Sequence, residues 1–281
     1  MKFNETKDFA DIGNFNNLLL VDSLNFAFRY SRGNNKNFAE QYVDTIKSFA
    51  KSYECNKIVI TGDWGSYYRK EVSPLYKANR LAKRQEQTEE EADKFKAFLA
   101  EYNRALEILK GYYPVLKFKG VEADDIIAYI AERTSSDYHT WIISSDKDLD
   151  QLISNKVSRF GFITRKEITV ENWNTHYDYP LEAHIDIKCL EGDKGDNVEG
   201  VSGVGPKKAQ QLVEQYGGIY DIIGNLPIDS KYKYIQNLNA FGKEGLLLNA
   251  ELMDLQQFCV EALLNKENID VINNLIKGYN K

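Results

Sequence analysis

Nine carboxylates stand in short motifs along this chain: Asp22, Asp63, Glu122, Asp124, Asp125, Asp146, Asp148, Asp193 and Asp196. Glu122, Asp124 and Asp125 fall within four residues, directly before an apolar helical stripe. Acids at a helix start complement the macrodipole and cap free N–H groups, so one or two there would need no other explanation. Three so close repel one another unless a cation is shared. Asp146-Lys147-Asp148 follows an apolar run, where a lone Asp could be only a helix cap. Asp193 and Asp196 sit in a GDKGDN turn, and ordinary turn chemistry uses the same residues. Each motif alone is weak; acids delivered together by separate elements make a joint signal. A carboxylate donor set without His or Cys ligands suits a hard cation, Mg²⁺ or Mn²⁺. Two such ions about 4 Å apart are the usual arrangement for in-line attack of water on a phosphodiester.

Other chemistries lack their residues. There is no P-loop and no GxSxG, and His139, His176 and His184 have no catalytic spacing. Cys55, Cys189 and Cys259 are odd in number and far apart, which reads as free thiols in a reducing cytoplasm. The opening Met1–Asn17 is polar and is not a secretory signal. No apolar run nears the roughly 18 residues of a membrane span. The 281 residues are 43% hydrophobic and carry a net charge of −6, from 36 basic and 42 acidic side chains. If metal ions neutralise the nine motif acids, 33 acids face 36 bases, so the acidic mean does not exclude nucleic acid.

The elements that must position these acids alternate strand-like and helix-like. Asn17–Asp22, Lys57–Asp63 and Thr140–Asp146 are apolar runs that each close on an aspartate, as strands buried on both faces would. Phe38–Tyr53 and Asp124–Arg133 have helical periodicity. This order predicts an α/β domain with a mainly parallel central sheet flanked by helices, its ligands at the carboxyl ends of the strands. Between the second and third runs lies an insertion, roughly residues 65–116. Ser66–Arg84 holds Arg69, Lys70, Lys77, Arg80, Lys83 and Arg84 against the single acid Glu71, and an amphipathic helix with Phe95, Phe98, Leu99, Tyr102, Leu106 and Leu109 follows. It reads either as a solvated helical hairpin or as a projecting arch whose basic limb faces a polyanion.

From about His184 the pattern changes to helices and turns, which divides the chain into residues 1–183 and 184–281. GVSGVGPKK, Gly200–Lys208, feeds a helix whose free N–H groups could hold a phosphate, with Lys207 and Lys208 adding charge. A tight turn between packed helices would look similar. Arg165-Lys166 and Lys231/Lys233 could extend a backbone track, although solvated side chains have the same pattern. Helices over Glu244–Leu255 and Asn268–Lys277 complete the reading.

The chain resembles the bacteriophage 5′-nucleases (flap endonucleases, 5′→3′ exonucleases), related to the 5′-nuclease domain of bacterial DNA polymerase I. The likeness runs nearly end to end, through VDSLNFAFR, TGDWG, YKANR, GVEADD, SSDKDLDQL, VSRF, GDKGDNVEGVSGVGPKKA and KYIQNLN in that order. It implies a helical arch and, in the C-terminal region, a helix-three-turn-helix element that binds duplex. By motif, Asp22, Asp63, Glu122, Asp124 and Asp146 would serve the metal cluster, with Asp125, Asp148, Asp193 and Asp196 completing it. Tyr76, Lys77 and Arg80 match the arch base, where the family sets a basic residue on the scissile phosphate, and Arg29 matches a basic position near the site. Gly203 and Gly205 belong to the family's hairpin, which also binds a monovalent cation through backbone carbonyls; this puts K⁺ near Val201 and Val204. Ser23 departs from the Gly that many members carry there. The implied activity is a free-standing, Mg²⁺-dependent 5′ nuclease of phage DNA replication, a monomer acting on branched DNA with a 5′ flap in the host cytoplasm. A DNA-binding module without catalysis would lack metal ligands, and none of the nine is missing. Related single-stranded RNA nucleases are shorter and lack the glycine hairpin.

Overall fold

A computed structural model describes residues 16–31 and 37–279, except the side chain of Leu81. The polar opening segment up to residue 15 lies outside the described residues. The first apolar run is β1 (Asn17–Asp22), and it sits inside a six-stranded sheet. The others are β2 (Lys57–Thr61), β3 (Val115–Leu116), β4 (His139–Ile143), β5 (Val157–Gly161) and β6 (Lys166–Ile168), in the order β3-β2-β1-β4-β5-β6. All neighbours pair in parallel except β6, which runs antiparallel to β5.

Side chains alternate across a strand, so β1 feeds two cores. Leu18 and Leu20 pack with Val59, Ile142 and Val157 on one face, while Leu19 and Val21 pack with Ile58, Ile60 and Ile143 on the other. Burial on both faces explains why these runs are apolar without alternation. Register sets Val21 beside Ile60 and Ile143. The segments bearing Asp22, Asp63 and Asp146 therefore emerge together at the carboxyl edge.

Helices cover both faces. They are α1 (Ser23–Ala27), α2 (Ala39–Ser52), α3 (Tyr67–Val72), α4 (Ala78–Gln85), α5 (Glu89–Lys110) and α6 (Ala123–Thr134) in the first part. The second part holds α7 (His184–Glu191), α8 (Pro206–Tyr216), α9 (Ile219–Asn225), α10 (Lys233–Met253), α11 (Leu255–Ala262) and α12 (Lys266–Tyr279). α5 starts with a capping box, in which Thr88 Oγ1 accepts from the Glu91 amide and Glu91 accepts from the Thr88 amide. From Phe98 onward it buries Phe98, Tyr102, Leu106 and Leu109 against α2. Residues 82–94, by contrast, are all exposed, so the α4–α5 tip stands away from the core.

Two readings need correction at the C-terminal end. The helix expected over Glu244–Leu255 begins at Lys233, breaks at Gly242 (φ 67°) and stops at Met253. Asp254 then caps a new helix, its Oδ1 accepting from the Gln257 amide, so Leu255 starts α11. α11 and α12 do not stay with the helical region. Leu255, Cys259, Leu263, Ile272 and Ile276 join the core under α6, on the sheet.

Candidate active site

Four of the nine carboxylates stand in no ion pair among the described residues. Asp22 ends β1, accepts from the Asn25 amide as the cap of α1 (3.3 Å) and from Ser144 Oγ (2.8 Å). Asp63 lies two residues beyond β2 and accepts from the Gly65 amide at 2.8 Å. Asp124 stands in the first turn of α6, and Asp146 caps the short turn Lys147–Leu152 through the Asp148 amide. Burial pushes the Asp22 carboxyl up to about 7; the Ser144 hydrogen bond opposes this, and the charges of Asp146 and Asp63 reinforce it. Burial, then Asp146 and Asp22, hold Asp124 well above the usual carboxylate range. Asp63 is raised by burial and by Glu122. These are crowded, partly dehydrated acids, and the nearby Lys77 charge only partly offsets burial at Asp63 and Asp124.

The other five are already paired. Arg69 is 2% exposed and grips Asp125 through two 2.7 Å contacts; it also reaches Glu122 at 3.1 Å and the Leu252 carbonyl at 2.8 Å. Lys77 contacts Glu122 and lies 3.2 Å from Asp196, which Arg80 also binds. Tyr76 donates to Glu122 (3.1 Å) and Asp196 (3.0 Å). Burial works upward on Glu122, but Lys77 and Arg69 outweigh it and hold this carboxyl below its ordinary value. Lys188 pairs with Asp148 and stands 3.8 Å from Asp193. Asp193 itself accepts from the Gly195 amide at 2.6 Å, so it also performs the turn role.

Among the described residues no three of these side chains are already drawn around one cation-sized point. The donor chemistry nevertheless fits a divalent ion, since Asp22, Asp63, Asp124 and Asp146 supply only hard carboxylate oxygens and none is taken up in an ion pair among the described residues.

The basic limb divides in a way that composition does not show. Arg69, one of the charges expected to face a polyanion, is instead a buried strut. A clue is present in its place at the start of a short helix capped by Ser66, directly after the second strand's aspartate. Lys77 adopts a left-handed conformation (φ 55°), and its amide donates to the Asp196 carbonyl at 2.8 Å. The arch base is thereby stitched to the Asp193–Asn197 turn, with Asn197 Nδ2 donating to the Leu75 carbonyl at 2.8 Å. Lys188 stands in no motif and escapes sequence reasoning, while Ser144 lies in the SSDKDLDQL motif without being singled out there. Ser23 is fully buried, its hydroxyl donating to the Thr61 carbonyl (2.6 Å) and meeting the Tyr102 hydroxyl at 2.7 Å. A serine is thus accommodated as a clamp between β1, β2 and α5.

The remaining candidates lie around this edge and beyond it. The Arg29 guanidinium lies over the rings of Phe26 and Tyr30, just past α1. Arg165 and Lys166 are exposed in the hairpin after β5, on the carboxyl side of the sheet, where the Ile163 amide donates to Ser145 Oγ at 3.0 Å. In the second region, Gly203 has φ 78°, which favours glycine, and Gly205 precedes Pro206 at the start of α8. Lys207 is exposed. Lys208 is exposed as well, but its ammonium is held in place, donating to the Gly203 carbonyl at 2.8 Å and lying 4.8 Å from the centre of the Tyr234 ring. Lys231 and Lys233 flank the exposed Tyr232. The side chains of Val201 and Val204 are core residues, and the Val201 carbonyl accepts from the Val204 amide at 2.9 Å.

Known proteins share the sequence and the fold of this chain. Residues 17–178 match the 5′-3′ exonuclease N-terminal resolvase-like domain, and residues 179–271 match the 5′-3′ exonuclease C-terminal SAM fold. The chain is 41% identical to the flap endonuclease of Escherichia phage T5, over 93% of this chain and 91% of that protein. A crystal structure of the T5 D15 flap endonuclease, in a pseudo-enzyme-product complex with DNA and metal ions, superposes with a TM-score of 0.90 at 40% identity, covering 93% of this chain and 98% of that one. DNA polymerase I of Rhizobium leguminosarum is 37% identical over 54% of this chain and 14% of its own length. With both family domains matched in sequence, and a whole-chain likeness in sequence and in structure, the chain belongs to the 5′-3′ exonuclease family.

Proposed function

We propose that this protein is a divalent-metal-dependent 5′ nuclease that hydrolyses phosphodiester bonds of branched DNA, as flap endonuclease and 5′→3′ exonuclease. The single observation that carries this reading is the set Asp22, Asp63, Asp124 and Asp146, crowded at one sheet edge and in no ion pair among the described residues, with burial raising the proton affinities of the first three. The phage T5 relative, whose structure contains DNA and metal ions, supports the same assignment. Mg²⁺ is the proposed ion, two or more being held, with Mn²⁺ able to replace it. When bound, such ions supply the positive charge that helps a water attack phosphorus and the leaving oxygen depart.

The chain's own groups do the rest. Lys77 and Arg80 share a face, and both rest on Asp196. A scissile phosphate entering beside them competes for those cations, and Lys77 then meets charge developing in the transition state. Glu122 would join Asp22, Asp63, Asp124 and Asp146 in holding the metal, while Arg69 keeps Asp125 and the start of α6 in place. Asp148 and Asp193, with Lys188 beside them, would complete the metal site. Duplex is held by the Gly203–Lys208 turn, with Lys231 and Lys233 beside it, and Arg165 and Lys166 guide backbone near the sheet edge. Arg29 serves the unpaired strand, and Tyr76 fixes Glu122 and Asp196. K⁺ at the carbonyls of Val201 and Val204 would brace the turn. The enzyme works as a monomer on 5′-flap DNA in phage replication, in the host cytoplasm; among the described residues no helix is long and apolar enough to cross a membrane.

The test is cleavage of a 5′-flap DNA and of a matched RNA, with Mg²⁺ and with chelator. Mg²⁺-dependent incision of the DNA near its junction is expected. Preferential cleavage of the RNA, or tight binding of flap DNA with no incision, would overturn the reading.

A further inference from the structure

Beside the carboxylate edge lies an aromatic and basic surface to which the nuclease chemistry gives no role. Trp64 directly follows Asp63, and it is 54% exposed. A single exposed aromatic is ordinary. This one is held on a rigid backbone: the Gly62 amide donates to the Leu116 carbonyl (2.8 Å), the Trp64 amide to Val121 (3.0 Å) and the Tyr67 amide to Gly120 (2.9 Å). Gly65, at φ 72°, makes the turn that follows, with its amide on Asp63.

Lys117 rises from the facing segment. Its ammonium lies 5.7 Å from the centre of the Trp64 ring and 5.6 Å from that of Tyr102. Its stem crosses Gly62 so closely that a Cβ there would fall 2.9 Å from it. Tyr67, 53% exposed, lies flat on Gly120, where a Cβ would meet the ring at 2.3 Å. The backbone is thus shaped to lay these side chains in place. Partial burial lowers the proton affinity of Lys117, against the pull of Asp63.

We infer that Trp64 and Lys117 form a subsite for one unpaired nucleotide beside the scissile bond, the indole stacking on its base and the ammonium meeting its phosphate. The occupant must be unpaired, because bases in a duplex offer no free face to an indole. An indole next to a cation matches the two chemistries of a single-stranded nucleotide, a π-face and an anion. The inference rests on the nuclease reading; it adds that this face of the site grips the unpaired arm.

The test follows tryptophan fluorescence of the full chain during titration with a 5′-flap DNA and with a blunt duplex, Ca²⁺ replacing Mg²⁺ to hold off hydrolysis. Trp173 is 3% exposed and Trp141 is stacked on Tyr53 at 4.1 Å, so Trp64 is the tryptophan open to a base. Flap DNA should quench the signal and blunt duplex should not. Trp64→Ala should abolish the quench and weaken flap affinity about tenfold, within the range of one base–aromatic stack. Trp64→Phe should keep most of the affinity, which separates lost stacking from a disturbed Asp63, and Lys117→Met should weaken flap binding without removing the quench. Absence of quenching in the wild type, or an equal loss of flap and duplex binding in Trp64→Ala, would overturn the inference. Failure of the nuclease reading is distinct: the wild type would then leave the same flap uncut in Mg²⁺.

Discussion

Asp22 and Glu122 are both buried, yet the site drives their proton affinities apart. Glu122 has Lys77 and Arg69 at hand, whereas Asp22 has a serine hydroxyl and other acids. In the metal-free protein Asp22 therefore opposes folding once ionised. Its folded value of about 7 lies above the ordinary 3.8, so the native state binds the proton more tightly. Stability contributed by that proton is complete below about pH 4 and is lost as pH rises through about 7. Asp22→Asn should consequently stabilise the chelated protein by about 1–3 kcal/mol at about pH 8, with the gain vanishing at low pH. Thermal melts in chelator across that range check this. Added Mg²⁺ should stabilise the wild type at about pH 8 and the variant much less. A variant melting below wild type at high pH would show that Asp22 has a counter-charge after all.

At the scale of elements, the strands and the glycine turn are legible because their signals are local. Apolar runs ending in aspartate become strands when both faces are covered, and Gly205-Pro206 starts a helix wherever it falls. The insertion is less legible. Charge counting puts Arg69 and Lys77 on an outer limb, but burial depends on partners more than 40 residues away, Glu122 and Asp125, which no local period records. Lys208 presents a related problem: it is exposed, yet its ammonium is engaged by the Gly203 carbonyl and the Tyr234 ring. The two hairpin lysines should therefore behave differently. Lys207→Ala should weaken binding to any duplex-bearing DNA and reduce the log–log salt slope by roughly 0.9 for the one phosphate left without its cation. Lys208→Ala should also lower thermal stability, because it leaves the turn unbraced. Salt-dependent affinities and melts of the two single variants read this out, and identical behaviour would contradict the bracing role of Lys208.

Across the whole molecule, the boundary read near residue 184 describes the change of pattern but not where the chain ends up. The last two helices return to the sheet and close the core beneath α6, with Leu263 and Ile272 fully buried. Sequence can show these helices as amphipathic; it cannot show which of two cores their apolar faces join. Deleting Leu255–Tyr279 should therefore unfold the sheet domain rather than merely weaken DNA binding. Each fully buried Leu or Ile removed takes away roughly 1.5–3 kcal/mol, and the sum exceeds the margin of an ordinary domain. Circular dichroism of the truncated chain should show loss of cooperative melting. A truncated protein that still melts cooperatively would mean that the sheet and its first six helices suffice.

The central claim is that carboxylates from separate strands and helices act as one metal-loaded unit, apart from the surfaces that hold DNA. Single-turnover cleavage of a 5′-flap DNA by Asp124→Ala and by Asp146→Ala, measured at saturating enzyme in Mg²⁺ beside flap affinity for each, tests it most directly. The account predicts that both variants bind the flap nearly as wild type does and cut it no faster than wild type in chelator. Near-normal turnover by either variant would contradict it.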